Sequence, residues 1–418
     1  MISPDCELRS VTSLRADRRT VLGVAGTALA GGLFATSTQG TATTSATSSA
    51  TWPMERYDAA GTGHAPDMDG PVSDVAVRWK CEVYGHVFDP PSPVLHDGRL
   101  YYSAADRFLV VDVDGGTIRH EITSGTYRST PCVLTETAYA TDTLAVADSV
   151  GLVGVNPTGG LDLFGRRNLW SNRWTYPDRE RVERSPPVRS GATPQPVVAD
   201  DTLVYAGSIG DEDAVVALDP SNVATRWRTE SYANPRRPVV ADGTVFVVSG
   251  RGRVRALDLV DGSELWRAKT DEPTVNALTV ADGRLYATDR WNVYAFDATT
   301  GARTWRRPMD APVRTAPVVA DGVLYVVTEL SAGPLFALDP TTGETLWAVD
   351  YGNRNSSPVV AGGTLYLPSH YDLYALDAET GIERWRFEAA GSVSTPVVAD
   401  GRVYVAGGNL LYALEEKL

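Results

Sequence analysis

The pattern Ala-x-Asp-x-x-x-Gly-x-x-x-Trp recurs along this chain and leaves few folds open to it. Its Asp falls at Asp219, Asp258, Asp297, Asp339 and Asp377, and a Trp follows eight residues later, at Trp227, Trp266, Trp305, Trp347 and Trp385. These are read as five full copies, with successive Asp residues 39, 39, 42 and 38 positions apart. A period of about 40 in a strand-rich chain marks propeller blades or a solenoid, since one such unit cannot bury its apolar face alone.

Each unit reads as four strands, A to D. Between Pro317 and Val326 the pair Asp321-Gly322 separates two β-rich runs, and Asp-Gly tolerates the positive φ of a tight hairpin. A second pair of runs, Leu335-Phe336-Ala337-Leu338-Asp339 and Glu344-Thr345-Leu346-Trp347, is joined at Thr342-Gly343. Four antiparallel strands make one blade. The bulky Trp, whose N–H needs a partner, suits a packing post between blades.

Weaker copies complete the ring. Asp112 is followed eight residues on by His120, and Asn156 by Phe164. Ala413-Leu414-Glu415 starts a further copy that has no Trp of its own, while Val75-Ala76-Val77-Arg78-Trp79 is a strand D without a blade. Pairing that strand with residues 410–414 closes the sheet and removes free edges. The expectation is an all-β, eight-bladed propeller over residues 52–418, docked through Trp79, Trp227, Trp266, Trp305, Trp347 and Trp385.

The motif resembles that of the pyrroloquinoline-quinone-repeat (PQQ-like) propellers. The lead-in Trp52-Pro53-x-x-x-x-Asp58-x-x-x-Thr62-Gly63 is similar to the segment before their first blade. The family includes quinone-dependent dehydrogenases and non-catalytic proteins of the BamB type, so the resemblance implies the fold and leaves function open. The dehydrogenases hold their quinone with a vicinal Cys–Cys disulfide, a calcium site of Glu and Asn, a catalytic Asp and a Trp floor. No adjacent Cys pair exists here. The five histidines show no metal-ligand spacing, and no nucleophile motif or phosphate-cradling loop is present. The reading is a non-catalytic scaffold with no cofactor; the alternative is a PQQ-dependent dehydrogenase with an atypical site.

Arg18-Arg19-Thr20-Val21-Leu22 and the apolar stretch to Ala35 have the layout of a twin-arginine signal, with Ala28-Leu29-Ala30 as a cleavage site. Residues 1–35 are read as that signal and residues 36–51 as a Thr/Ser-rich linker, giving an exported protein at the cell surface or beyond it. Net charge is −14, and only Lys80, Lys269 and Lys417 are lysines among 38 basic residues. That balance resembles proteins of salt-accumulating archaea, where screening offsets self-repulsion. It also disfavours nucleic acid, whose binding draws on a basic surface. No membrane span is expected in the mature chain, and a monomer is. Cys81 and Cys132 map to different blades, too far apart for a disulfide, and are read as two buried thiols.

Alternating strands put all D-to-A and B-to-C connections on one face, where the variation lies and function tends to sit. The A-to-B and C-to-D turns share the other. From Phe164 to Pro196 the gap is 32 residues, against 12 from Trp305 to Pro317. This insertion, assigned to a D-to-A loop, supplies Arg166, Arg167, Trp170, Arg173, Trp174 and Tyr176 as candidate partner-binding residues, since Arg beside Trp and Tyr is a recognition composition. Arg128, Arg236, Arg237, Arg314 and Arg354 fall near the starts of strand A, the innermost strand, and form a candidate cationic funnel rim. The expected partner is a protein or cell-surface polymer on this D–A/B–C face.

Overall fold

The computed structural model describes residues 50–417 except 84–89, 105, 124, 136, 164–166, 170, 179–193, 211, 231–235, 330–332 and 352–355. The expected signal and nearly all of the linker lie outside the described residues. The described chain forms eight blades of four antiparallel strands, paired in the order A to D from the inside outward, and His64–Ala65 adds a short parallel strand to the inner edge of blade 7. Blades 1 to 7 span residues 94–122, 132–176, 197–230, 239–269, 275–308, 318–350 and 359–388. Blade 8 takes strands A to C from residues 397–416 and its strand D from Val75–Glu82. Val75 pairs with Glu416, Trp79 with Ala413 and Glu82 with Leu410, so the two ends of the chain close the ring as expected.

Blades form where the sequence supplies their turns. Asp97, Asp242, Asp282, Asp321 and Asp400 hold positive φ of 48–51° ahead of a Gly at A-to-B hairpins, the left-handed geometry such turns need. Inner strands are buried along most of their length, whereas strand D alternates, as in Arg303–Pro308, where the exposed residues face solvent from the outer edge. The thiols lie apart, Cys81 half-buried in strand D of blade 8 and Cys132 buried in strand A of blade 2, and they form no disulfide.

The docking motif works through shape and one hydrogen bond. Indole N–H groups of Trp79, Trp227, Trp266 and Trp305 donate to Val113, Leu259, Ala298 and Pro340 in the following blade, at 2.8–3.1 Å. Trp385 donates to Pro71 at 2.8 Å, so the lead-in stands in for the turn at blade 8. The motif Gly accepts the ring: a Cβ on Gly301 would sit 2.5 Å from Trp266, and its φ is +73°. Both the close approach and the left-handed backbone require glycine there.

The lead-in is a belt inside the ring. Trp52 bridges to Leu95 of blade 1, and carbonyls of Pro53, Ala59, Ala60, Thr62 and Gly63 accept from Val133, Val240, Val280, Val319 and Val360 of blades 2, 4, 5, 6 and 7. Asp69 then accepts from Gly401 of blade 8. Among the described residues, blade 3 receives no such bond. Arg56 anchors the belt: buried to 3% exposure, it donates to carbonyls of Gly61, Thr62, Ala316 and Pro317. Burial, then the nearby Arg237 cation, pushes its pKa down to about 9, which leaves it charged near neutrality.

Candidate functional site

Blades 2 and 3 depart from the regular junction, and the departure starts in the sequence. In blades 4 to 8 the row beneath the docking Trp reads aromatic then Ala, as in Phe246–Ala256–Trp266 and Tyr286–Ala295–Trp305. In blade 2 that row is Ala145–Gly154–Trp174. Trp174, not Phe164, therefore holds the docking register. The pairing also corrects the assignment of the insertion to a single D-to-A loop. Leu161–Leu163 and Arg167–Leu169 form a hairpin within the C-to-D connection, and Asn172–Tyr176 is strand D itself. Counting eight residues from Asn156 failed because this hairpin separates the turn from its Trp.

Across the junction the Asp219 copy is not full: Val223 stands where the motif asks for Gly. It takes φ +61°, which a β-branched residue reaches only at a cost of about 1–3 kcal/mol. With small residues beneath it, Trp174 settles toward its own strand C, its ring 2.2 Å from where a Gly154 Cβ would be. Its indole N–H is buried and has no acceptor. A groove of about 620 Å³ lies between the blades, lined by Tyr139, Trp174, Tyr176 and Asp178 on one side and Ser221 to Val223 on the other.

The remaining insertion residues are engaged within blade 2, reach across to blade 3 or lie outside the described residues. Arg173 donates to carbonyls of Thr141 and Asp142 and to the Thr143 hydroxyl, each at 2.6 Å, and lies 4.5 Å over the Tyr139 ring. Its guanidinium braces the A-to-B connection, a correction to its expected place on a partner-binding loop. Tyr176 shares a 3.0 Å hydrogen bond with Thr225 of blade 3. Arg166 and Trp170 lie outside the described residues; Arg167 is in the hairpin, its side chain outside the description.

The expected funnel rim is not one crown of free cations. Arg237 turns inward and donates to Glu55 and Asp58 of the belt at 3.0 and 2.7 Å, while its Nε and Nη1 lack partners. Arg314 pairs with Glu329. Arg236 is half-buried with its Nε unpartnered, and burial and the Arg314 charge hold its pKa down. Arg128 is exposed, and Arg354 lies outside the described residues.

On the same D–A/B–C face the structure shows two aromatics that sequence reasoning missed. Trp291 and Tyr371, 38% and 49% exposed, cap the B-to-C turns of blades 5 and 7. The Arg290 guanidinium lies 5.2 Å from the Trp291 ring, and the His370 ring lies 4.0 Å from that of Tyr371 at a tilt of 60°. Their only sequence signal is an aromatic in a two- or three-residue turn that elsewhere is small and polar. Among the described residues no three His, Cys, Asp or Glu side chains gather as metal ligands, and no helix is long and apolar enough to cross a membrane.

No curated protein matches the sequence significantly. Among solved structures, BamB from Moraxella catarrhalis superposes with a TM-score of 0.59 at 16% identity, over 82% of this chain and 98% of that one. Quinohemoprotein alcohol dehydrogenase ADHIIG from Pseudomonas putida HK5 gives 0.65 at 12%, over 87% and 80%. A europium-containing methanol dehydrogenase gives 0.64 at 12%, over 87% and 98%. At these identities the likeness shows the fold alone. The family model described as outer membrane protein assembly factor BamB matches residues 161–279, 250–350 and 331–417. That match covers more than half of the sequence, and the chain belongs to this family of PQQ-repeat propellers.

Proposed function

We propose that this protein is an exported, non-catalytic scaffold that holds a protein partner on its D–A/B–C face. The observation that carries the reading is the pair of exposed aromatics, Trp291 and Tyr371, set with Arg290 and His370 on turns of blades 5 and 7. Large aromatics beside arginine on a rigid frame are the composition of binding hot spots. Family membership with an assembly factor supports a protein as partner; an outer-membrane machine is that relative's setting, and only the mode of binding is carried over. Export by the twin-arginine route is part of the proposal, and Arg18→Lys with Arg19→Lys would keep the protein inside the cell. The test is capture of native cell-envelope proteins on the purified chain in high salt. The proposal expects a stoichiometric partner that is lost with Trp291→Ala plus Tyr371→Ala, and equal capture by both forms would contradict it.

The second reading, a PQQ-dependent dehydrogenase with an atypical site, is favoured by the unpartnered Nε and Nη1 of Arg237 beside the belt, which suit a bound anion. The described residues do not fit the calcium that accompanies such a quinone, since no carboxylate cluster gathers among them. No catalytic step is derived through the cofactor.

A further inference from the structure

We propose that the groove between blades 2 and 3 is a binding site for a neutral oligosaccharide. It is separate from the partner face described above. Its floor and walls pass from the A-to-B connection of blade 2, through strand D, to the C-to-D turn of blade 3. The groove therefore runs along the outer wall from the turn face to the start of the D-to-A connection at Pro177 and Asp178.

The chemistry of the lining selects the ligand. Tyr139, Trp174 and Tyr176 supply three aromatic rings within one cleft, and Thr175, Ser221 and Asn222 supply neutral hydroxyl and amide groups. Sugar rings present apolar C–H faces and a hydroxyl rim, which is the complement of rings interleaved with short polar side chains. Asp178 is the one carboxylate among the described lining residues. Arg173, the neighbouring cation, is committed to Thr141, Asp142 and Thr143. Among the described residues, the lining thus offers no cation that would select a phosphate or a carboxylate. The volume, about 620 Å³, is within the range of small-molecule sites.

A second observation points the same way. Trp227, Trp266 and Trp305 each give their N–H to the next blade, but Trp174 has lost that acceptor, and its buried donor is unsatisfied. A ligand hydroxyl accepting from it, after a small turn of the unpinned ring, would restore the missing bond. Across the cleft Val223 takes the place of the motif Gly in the facing turn. The departure from the motif on both sides of one junction is explained together by a ligand that sits between them.

The test is titration of the full chain, in high salt, with neutral hexasaccharides of gluco, manno and galacto configuration, followed by tryptophan fluorescence and calorimetry. Saturable binding of at least one is expected, with a shift in tryptophan emission. Tyr139→Ala and Asn222→Ala lie on exposed connections and should fold normally, and each should weaken binding roughly tenfold. Trp174→Phe should keep the stacking and lose the N–H, leaving an intermediate affinity. Absence of binding by all three sugars overturns the proposal, as does binding that Tyr139→Ala and Asn222→Ala leave unchanged. Saturable binding of decaproline with no sugar binding would reassign the cleft to an extended peptide and equally overturn it. None of these results depends on Trp291 or Tyr371, so the partner-face reading stands or falls by its own experiment.

Discussion

The junction between blades 4 and 5 and the junction between blades 2 and 3 share one strand order, yet only the first is closed. At the closed junction Trp266 rests on Ala256, stacks over Gly301 and donates to Ala298 at 2.9 Å. At the open one Trp174 sinks over Gly154, faces Val223 and has no acceptor. A few small-for-large and large-for-small exchanges are enough to convert a packing post into the wall of a cleft. Docking in this ring is therefore a local contract between a Trp and the turn it meets, as the nearest-neighbour energetics of repeat proteins require.

That contrast is open to direct attack. The largest effect belongs to Trp266→Ala, which deletes a packed indole together with its interblade hydrogen bond and should cost about 3–5 kcal/mol. Trp174→Ala, with no bond to lose, should cost about 1–2 kcal/mol less. Guanidinium unfolding of both variants in the same salt decides it, and equal losses would mean that the two junctions are equivalent. Next comes Gly301→Val, which copies Val223 into the closed junction. It forces a β-branched residue to φ +73° and a Cβ into the Trp266 ring, and should cost roughly 3 kcal/mol or more. The reverse exchange, Val223→Gly, relieves the left-handed strain and should stabilise the chain by about 1 kcal/mol. Under the oligosaccharide proposal it should also weaken sugar binding by letting the turn approach Trp174.

The smallest expected effect lies at blade 1, where His120 takes the docking register opposite Val110. Burial first, then the charges of Arg99 and Arg119, hold its pKa below the ordinary 6.5. The unfolded chain then takes up this proton at higher pH than the folded one, so stability is lost as pH falls below 6.5 toward the lower folded value. His120→Phe should flatten the change in Tm between pH 7.5 and 5.5, and an unchanged slope would remove His120 from that balance. The effect is small because the imidazole is largely exposed.

What the sequence disclosed follows the same division. Blades 4 to 7 were legible because each carries its Asp, Gly and Trp at fixed spacing, and blade 8 and ring closure were legible because Val75 to Trp79 had no blade of its own. Blade 2 was not, since the hairpin at residues 161–169 displaced Trp174 from the count, and Val223 was passed over within a motif read as intact. The arginine rim misled for a physical reason. Proximity along the chain to strand A says nothing of direction, and Arg237 turned to the carbonyls of a belt whose path through the ring no local pattern encodes. Arg56, the belt's anchor, carried no signal at all. Trp291 and Tyr371 were short-turn residues without periodicity, visible as surface only once the blades were placed.

The central claim, a binding scaffold without a resident quinone, is tested most directly by calorimetric titration of the folded, full-length protein with pyrroloquinoline quinone and calcium in high salt. A non-catalytic scaffold gives no saturable heat, with Arg237→Gln indistinguishable from the parent chain. Stoichiometric binding abolished by Arg237→Gln would contradict the claim and make the surroundings of Arg237 beside the belt a cofactor site.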